Sequence, residues 1–574
     1  MPNLNWFTRK DLTLAPTPNC WDIIALVIVL TLLIMLGWAA QQMLSPFQLS
    51  QPKTVITLDP HILPEYALRS TLRMLIALCF SLLFTFTIGT WAAKSRKAEK
   101  LIIPIIDLLQ SIPVLGFLSL TVTGFITLFP GKLLGPECAA IFAIFTSQAW
   151  NMMLGFYQSL KTLPQSLSEA VQIMQLNAWQ RFWRFEVPFA LPSLIWNTML
   201  SLSAGWFFVV ASEAISISNQ DIRLPGIGAY IALAIEQANQ QAIILAILTM
   251  LAVICLYDQC LMRPLTYWSN QFNTEASSTK RPWIVLMFSR THLLKSIAKI
   301  YAHFKDYTQK QAPPLKPGFK LNTQTQAYCY WLYYGLGLML LGYWIKSLLQ
   351  IDWTPFKILQ LHEFYETFIL GLITTARIIV CTTLAALIWI PIGVWIGLRA
   401  RWATRLQPII QFLAAFPANL LFPVVVALIV QHQLSVNIWT SPLIILGTQW
   451  YILFNVIAGT QTLKKSMHDV STLFQLPQWI RWRRLILPGI FPHLMTGIIS
   501  AVGGAWNASI IAEYVEWGPH QLIATGLGSY IALQYRSGHF VQLTLGITMM
   551  CLFVLIINRV VWAPLYHWAQ KRCQ

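Results

Sequence analysis

The sequence predicts an all-α membrane protein of about twelve transmembrane helices, arranged as two parallel six-helix repeats. Three observations lead to this fold class: an apolar composition, a dozen apolar runs of spanning length, and a long internal repeat. Of the 574 residues, 56% are hydrophobic and 10% are charged, whereas a soluble domain carries about a quarter of charged residues. The 25 tryptophans and 18 tyrosines fit a bilayer protein, because amphipathic rings collect at both headgroup interfaces.

Apolar runs long enough to cross a bilayer follow one another along the whole chain. A spanning helix needs about 20 mostly apolar residues. The first run begins near Trp21, is longer than the core of a signal peptide and has no clear cleavage site, so we expect it to stay as a helix. The predicted spans lie near 21–42, 66–93, 101–128, 135–158, 189–212, 238–262, 329–349, 366–397, 408–430, 439–460, 488–512 and 540–562.

The basic residues fix the predicted orientation. They concentrate in every second connection, at residues 94–97, 181–184, 399–401 and 481–484, and in the long segment 263–328. Because short cytoplasmic loops carry the excess of lysine and arginine, both termini and the central segment are predicted to be cytoplasmic. The net charge of +18 is then a signal of topology and of attraction to anionic lipid. No nucleic-acid partner is needed to explain it.

A duplication organises the chain. Residues 226–233 read GIGAYIAL and residues 526–533 read GLGSYIAL, which are identical at six of eight positions and offset by 300. The same offset pairs Trp150 with Trp450, Trp179 with Trp479, Pro188 with Pro488, Trp206 with Trp506 and Glu213 with Glu513, while an offset of 304 pairs Arg73 with Arg377 and Pro113 with Pro417. An even number of spans per copy gives a parallel repeat. The predicted domains are 1–265, a basic linker 266–328, and 329–574.

One connection in each copy, between the fourth and fifth spans, has the pattern of a short amphipathic helix. Glu169 and Asp469 are predicted to lie in the first turn of that helix, where a carboxylate complements the positive helix end. Basic and aromatic residues follow, and Pro188 and Pro488 are then predicted to restart a helix as the next span. Such an element suits docking to a soluble partner.

These loops resemble the coupling loop of permeases of binding-protein-dependent ABC importers, which has the form E-A-A, three residues, G, about nine residues, I-x-L-P. The chain matches it at Glu169-Ala170 and Pro188, and in the second copy at Asp469 and Pro488; Gln175 and Gln475 stand where the family has glycine. The blocks ASE at 211–213 and IAE at 511–513, each before Gly-x-Gly-x-Tyr-Ile, resemble the nitrate/sulfonate/taurine branch.

The resemblance implies a permease component that forms the substrate pathway of an import system and is not itself an enzyme. It implies two copies of a separate ABC ATPase that uses ATP-Mg, contacted through the loop residues above, and a periplasmic solute-binding protein. The chain itself has no Gly-x-x-x-x-Gly-Lys-[Ser/Thr] motif, since Gly131-Lys132 runs into leucines, so we expect it to bind no cofactor. The branch favours a small anion such as nitrate, a sulfonate, taurine or bicarbonate, although the family also moves heterocyclic precursors.

Ionisable residues inside spans are costly and therefore candidates for function. Arg73 and Arg377 occupy equivalent places in the second span of each copy, and Glu213 and Glu513 end the fifth spans. We expect these four to form a pseudo-symmetric charged set at the periplasmic mouth, where the arginines either attract an anion or pair with the glutamates as structural ion pairs. Trp206, Trp506 and Asn507 are further candidates for the pathway, or are packing residues.

Two rival classes stay open. A secondary transporter with parallel repeats needs coupling-ion carboxylates deep in the bundle, and few occur here. A membrane enzyme needs clustered His, Asp or Glu, and the ten histidines are dispersed. The nine cysteines are scattered singly without ligand spacing, so we expect small buried hydrophobic residues and neither disulfides nor a metal site.

Overall fold

The computed structural model describes residues 19–43, 56–111, 114–174, 178–214, 223–271, 281–291, 360–461, 473–475, 477–517 and 520–562, together with a few isolated residues. Most of these residues are helical. Strands β1 (Tyr514–Trp517) and β2 (His520–Ile523) form an antiparallel hairpin that pairs Tyr514 with Ile523. The all-α fold class is therefore confirmed.

The first half of the chain provides thirteen described helices. They are α1 (Cys20–Met43), α2 (Leu63–Phe84), α3 (Thr90–Lys94), α4 (Arg96–Ser111), α5 (Val114–Leu128), α6 (Leu134–Lys161), α7 (Gln165–Ile173), α8 (Ala178–Arg181), α9 (Val187–Glu213), α10 (Ile227–Glu236), α11 (Gln240–Tyr257), α12 (Arg263–Asn270) and α13 (Trp283–Arg290).

The second half repeats much of this order. Its described helices are α14 (Leu361–Gly397), α15 (Ala400–Ala415), α16 (Phe422–Gln431), α17 (Val436–Trp439), α18 (Ser441–Leu446), α19 (Gln449–Gln461), α20 (Gln478–Arg481), α21 (Leu487–Ala512), α22 (Leu527–Ser537) and α23 (Phe540–Ile557).

Eight helices of the described part are long and apolar enough to cross a membrane, and two bent helix pairs add up to two more. One bent pair joins the end of α15 to the segment Ala418–Gln431 at an angle of 77°. In the first copy, the predicted span 101–128 is likewise divided, into α4 and α5. The predicted span 329–349 lies outside the described residues, apart from two isolated positions.

The chain divides into two compact units that do not coincide with the two repeats. The smaller unit takes in Met1–Leu26, Leu163–Pro188 and Val285–Tyr365. Within it, the guanidinium of Arg290 lies 5.3 Å from the ring centre of Trp21. The larger unit contains the remaining helices of both repeats. The domain boundaries given by the sequence stay a prediction.

A π-helical turn stands two residues before each of four prolines. These turns are Phe182–Glu186 before Pro188, Asp258–Met262 before Pro264, Trp482–Ile486 before Pro488, and Asn558–Trp562 before Pro564. Proline has no N–H to donate and its ring clashes with the carbonyl four residues earlier, and the wider turn accommodates both defects. The predicted helix restart at Pro188 and Pro488 is therefore wrong, because one helix runs through each, over Ala178–Glu213 and Gln478–Ala512.

Within the larger unit the two copies pack directly against each other. The rings of Trp196 and Phe454 meet edge to face with centres 5.8 Å apart. Asn419 donates from Nδ2 to the Phe207 carbonyl at 3.2 Å. Gly116 lies so close to Ile547 that an added Cβ would be 3.0 Å from its side chain. The copies therefore share a packed helix interface.

The cysteines differ from expectation in their burial. Seven of them are described and none of these forms a disulfide, but four are exposed and only Cys381 is buried. A helix that is apolar on all sides can place cysteine on its outer surface, because lipid is as apolar as the protein core. The expectation of buried cysteines is therefore wrong for most of the described ones.

Candidate functional site

A fully buried ion cluster joins three helices of the first copy. Arg73 of α2 binds both carboxylate oxygens of Glu137 of α6, with its Nη2 2.6 Å from Oε1. Its Nη1 lies 2.6 Å from Oε1 of Glu213, the last residue of α9. All three side chains have no exposed surface. The cluster thus holds the second, fourth and fifth predicted spans together.

The Gly-x-Gly block closes this cluster from the loop that follows Glu213. The amide of Gly228 donates to Oε2 of Glu213 at 2.8 Å, and the amide of Ile227 donates to Ser70 Oγ at 3.1 Å. At Gly226, an added Cβ would overlap the Glu213 carboxylate. Glycine is needed at these positions because the backbone lies too close to the Glu213 carboxylate to leave room for a side chain.

The second copy builds the same arrangement at equivalent positions. Arg377 pairs with Glu513, and Thr374 donates to the same carboxylate at 2.9 Å. The amide of Gly528 donates to Glu513 Oε2 at 2.8 Å, and that of Leu527 donates to Thr374 Oγ1 at 2.8 Å. The structure therefore brings each predicted arginine together with the predicted glutamate of its own copy.

The two clusters differ at one position that the sequence analysis missed. At the offset of 300, Asn437 stands where the first copy has Glu137, and its Oδ1 accepts from the amide of Thr525 at 2.7 Å. Arg377 therefore pairs with one carboxylate and keeps 8% of its side chain exposed. A carboxylate inside the predicted span 135–158 was the signal that could have identified Glu137.

The geometry limits what Arg73 can do. Its guanidinium donates four hydrogen bonds, to Glu137, Glu213 and the carbonyl of Pro225, out of five N–H donors. Because that leaves one N–H and no exposed surface, the arrangement favours a structural ion cluster over direct binding of an anion.

The other pathway candidates lie in the protein interior. Trp206 and Trp506 are buried, and neither indole N–H has a hydrogen-bond partner among the described residues. Asn507 is half-buried and donates to the Gly503 carbonyl at 3.4 Å. Trp506 stacks on Phe553 with ring centres 6.5 Å apart.

The coupling-loop candidates are only partly described. Glu169 is exposed on α7, and Ala170 follows it in that helix. Since α7 begins at Gln165, Glu169 lies in the second turn, and the predicted first-turn position is wrong. Pro188 and Pro488 lie near the starts of α9 and α21. Gln175 and Asp469 lie outside the described residues.

Gln475 occupies a backbone conformation that explains the family's glycine. Its φ is +46°, in the left-handed region where a Cβ meets the carbonyl oxygen and where glycine carries no such penalty. The second-copy loop therefore keeps the glycine geometry with a glutamine in it.

Three apolar positions of the loop are exposed in both copies, and sequence reasoning did not single them out as a set. Trp179 and Trp479 each expose 72% of their surface. The other exposed pairs at the same offset are Ile173 with Leu473 and Met174 with Phe474. Exposed aromatic and aliphatic side chains on a short polar loop are typical of a docking surface for another protein.

The fold and these sites define a polytopic helical membrane protein that contains two copies of one domain. The family model of the binding-protein-dependent transport system inner membrane component matches residues 85–260 and 389–563, more than half of the chain. The chain belongs to this family, and the prediction of two fused permease copies is confirmed. Members are transport components and not enzymes, as predicted.

Individual relatives are named as permeases for nitrate, bicarbonate and taurine. The nitrate import permease protein NrtB of Leptolyngbya laminosa is 26% identical over 185 residues, 32% of this chain and 63% of that protein. The bicarbonate transport system permease protein CmpB of Synechococcus elongatus is 25% identical over 186 residues, 32% of this chain and 63% of its own length. The taurine transport system permease protein TauC of Escherichia coli is 25% identical over 258 residues, 42% of this chain and 88% of that protein.

Proposed function

We propose that this chain forms both membrane-spanning halves of an ATP-driven importer and is driven by a separate ATPase through its two cytoplasmic loops. The observation that carries the proposal is the exposure of Trp179 and Trp479 to the same extent, 72%, at equivalent places of the two copies. A pair of docking surfaces related by the internal repeat suits two copies of one soluble partner. The partner would bind and hydrolyse ATP-Mg, while this chain would hold no cofactor.

A continuous helix offers a path for the coupling. Gln478–Ala512 is a single helix of 35 residues, roughly 50 Å long at about 1.5 Å per residue. One end carries the exposed Trp479, and the other end is followed by Glu513, which is bound to Arg377. A displacement of the loop by the ATPase would therefore reach the ion cluster along one continuous helix.

The family also supports a solute-binding protein as the second partner, and the relatives support a small anion as substrate. Their printed names refer to nitrate, bicarbonate and taurine. The positions of the basic connections support a cytoplasmic location for both termini and the loops, in a bacterial inner membrane. A secondary transporter with parallel repeats is the less favoured alternative, because the family is that of binding-protein-dependent systems.

The first test is affinity purification of the tagged chain from its native membrane. We expect a P-loop ATPase to copurify with the wild type. It should be lost or uncoupled in Glu169→Arg combined with Asp469→Arg, and in Trp179→Ala combined with Trp479→Ala. Trp439→Ala is the matched control, since Trp439 is also exposed but lies outside the loops.

One result would change the proposal. If no ATPase accompanies the wild type under conditions that preserve membrane complexes, the loops are connectors and the secondary transporter becomes the better account.

A further inference from the structure

Two exposed ion pairs stand at the ends of equivalent helices in the two copies. Each involves a residue near the end of the short helix between the fifth and sixth spans, α10 in the first copy and α22 in the second. Glu236 of α10 pairs with Arg223, and Arg536 of α22 pairs with Glu516. Glu236 and Arg536 correspond at the offset of 300. The same position therefore carries a negative charge in one copy and a positive charge in the other.

The order of the helices places both pairs on the side away from the two loops. The long helix Ala178–Glu213 leads from the loop of the first copy across the membrane, and Gln240–Ser269 leads back. Glu236 lies in the connection between these two helices. The second copy repeats this order around Arg536. With the loops in the cytoplasm, both ion pairs face the extracytoplasmic side.

The more exposed member of each pair has opposite sign in the two copies. Glu236 exposes 46% of its side chain, whereas its partner Arg223 exposes 11%. Arg536 exposes 45%, whereas its partner Glu516 exposes 20%. The first copy thus presents mainly a carboxylate to the outside, and the second copy presents mainly a guanidinium.

The counter-charges of these two residues come from non-equivalent places. At the offset of 300, Ile523 stands in the place of Arg223, and Ser216 stands in the place of Glu516. Each copy therefore has the counter-charge that its own outward residue needs and lacks that of the other copy. Exposed ion pairs contribute little to stability, so stability alone gives little reason for either pair.

The outward charge of the second copy is held in place by its neighbours. The guanidinium of Arg536 lies 4.7 Å from the ring centre of Tyr514 in β1. Tyr514 donates to Glu516 at 2.9 Å, and Gln521 of β2 donates to the same carboxylate oxygen at 3.4 Å. A side chain fixed in this way loses little conformational freedom when a partner binds. The hairpin therefore presents Arg536 as a preformed contact.

A soluble protein that spans both copies meets two different charges on this surface. A partner without a twofold axis applies different surfaces to the two copies. On a symmetric dimer of identical permeases it would meet the same charge twice, and charge could not distinguish its two orientations. Complementary charges fix the register of an interface, and like charges that face each other oppose the wrong arrangement. The reversed pairs can therefore select one orientation of such a partner.

We propose that the reversed ion pairs hold the solute-binding protein on this permease in a single orientation. The partner is a binding protein because the transport of this family depends on one, and because the pairs lie away from the loops assigned to the ATPase. Its basic surface faces Glu236 of the first copy, and its acidic surface faces Arg536 of the second. The proposal rests on the proposed import function and deepens it by naming the docking surface and the orientation of the second partner.

Photo-crosslinking in intact cells of the native organism tests the orientation. The exposed residues Gln237 and Ser537, which correspond at the offset of 300, are replaced in turn by p-benzoylphenylalanine in the full-length chain. Mass spectrometry identifies the crosslinked peptides. We expect both positions to capture the same solute-binding protein through two sets of peptides that do not overlap. The set captured at Gln237 should come from a basic surface, and the set captured at Ser537 from an acidic one.

Reversal of both pairs tests the role of charge. The variant that combines Arg223→Glu, Glu236→Arg, Glu516→Arg and Arg536→Glu keeps two ion pairs but exchanges their outward signs. The yield of both crosslinks should fall about tenfold or more, because like charges then face each other. Matching charge reversals on the two crosslinked surfaces of the binding protein should restore the yield, which a merely misfolded permease could not do.

Asp258→Arg combined with Arg263→Asp is the matched control. This pair has nearly the exposure of the second-copy pair, 45% for Arg263 and 21% for Asp258, and lies near the other end of the sixth span. It should leave the crosslinks unchanged. Overlapping peptides at the two positions, crosslinks to lipid without a binding protein, an unchanged yield after reversal, or an equal loss in the control would each overturn the proposal. Copurification of the ATPase is measured separately, so the import function and the orientation can fail independently.

Discussion

At the scale of single residues, the two ion clusters differ in how many charges each arginine balances. Arg73 is shared by two buried carboxylates, whereas Arg377 faces Glu513, whose oxygens also accept from Thr374 and from backbone amides. Removing an arginine leaves different amounts of uncompensated buried charge in the two copies.

Arg73→Leu should therefore destabilise the protein more than Arg377→Leu. We expect a loss in free energy of unfolding of about 3–5 kcal/mol for Arg73→Leu, because two buried carboxylates lose their counter-charge. Arg377→Leu should lose about 1–3 kcal/mol, since three neutral donors remain around Glu513. Thermal unfolding in detergent measures the stability of both variants. Equal losses of stability would show that the second carboxylate, Glu137, does not make Arg73 more important than Arg377.

Gln475 gives a second prediction at this scale. At its φ of +46° a non-glycine residue loses about 1–2 kcal/mol, and a β-branched residue fits worst. Gln475→Gly should leave hydrogen–deuterium exchange of residues 473–477 unchanged or slower, and Gln475→Val should speed it up. At Gln478, the first residue of α20, valine should be tolerated better than glycine. If glycine is tolerated better than valine at Gln478 as well as at Gln475, the effect does not come from the positive φ of Gln475.

The sequence identified part of this chemistry. Arg73, Arg377, Glu213 and Glu513 could be predicted because charges in apolar runs are rare and the repeat aligns them. The contribution of Glu137 could not, because Glu137 reaches Arg73 only through the packing of α6 on α2. The φ of Gln475 could be suspected only from the family's glycine.

At the scale of elements, the turn that follows each fifth span depends on glycine. An added Cβ at Gly226 or Gly526 would overlap the carboxylate of Glu213 or Glu513, and a backbone shift would break the amide contacts behind it. Gly526→Ala should lower the thermal midpoint by several degrees, whereas Gly503→Ala, within α21 and with open space around it, should be neutral or stabilising. Similar effects of both would argue against close approach as the reason for Gly526.

A pH-dependent ion pair joins α4 to α6 in the first copy, and its acidic residue is missing at the equivalent place in the second copy. Lys161 Nζ donates to Glu99 at 2.7 Å, and Tyr157 donates to the other oxygen. These hydrogen bonds, that of Lys161 first, lower the pKa of Glu99 below its ordinary value. In the second copy Ala403 stands in the place of Glu99.

Because the pKa of Glu99 is lowered on folding, its contribution is complete above the unfolded-state value of about 4.3 and is lost as the pH falls through the folded-state value. The protection factors of residues 96–100, which are exchange rates corrected for the intrinsic pH dependence of amide exchange, should therefore fall on acidification in the wild type. In Glu99→Gln they should be low and should not change over that window. If Glu99→Gln keeps the wild-type pH profile, Glu99 is not the group whose titration weakens the contact.

Element boundaries show where sequence rules reach their limit. The apolar runs predicted most spans, whereas the division of the third span into α4 and α5 was not predicted. The behaviour of Pro188 and Pro488 was not predicted, because the rule that proline opens a helix ignores the π-turn that lets a helix pass through it. The position of Glu169 in its helix was also predicted wrongly. α7 begins at Gln165, about one turn before Glu169.

At the scale of the whole molecule, the two copies adhere through their own side chains. The contacts between Trp196 and Phe454 and between Asn419 and Phe207 do not involve the linker. Residues 1–328 and 329–574, produced as separate chains, should therefore copurify from the membrane. Trp196→Ala with Phe454→Ala should reduce the recovered complex by about tenfold, the equivalent of about 1.4 kcal/mol. Halves that never associate would show that the covalent link is needed for assembly.

The π-turns also bear on the origin of the duplicated chain. The turns at Phe182–Glu186 and Trp482–Ile486 occupy equivalent positions, as do those at Asp258–Met262 and Asn558–Trp562. Inheritance from a single domain that already contained both turns accounts for this agreement. The turn at Thr85–Gly89 corresponds to regular α-helix in α14 at the offset of 304. Because that offset is the same at Arg73 and at Pro113, the two copies differ there in helix geometry and not in length.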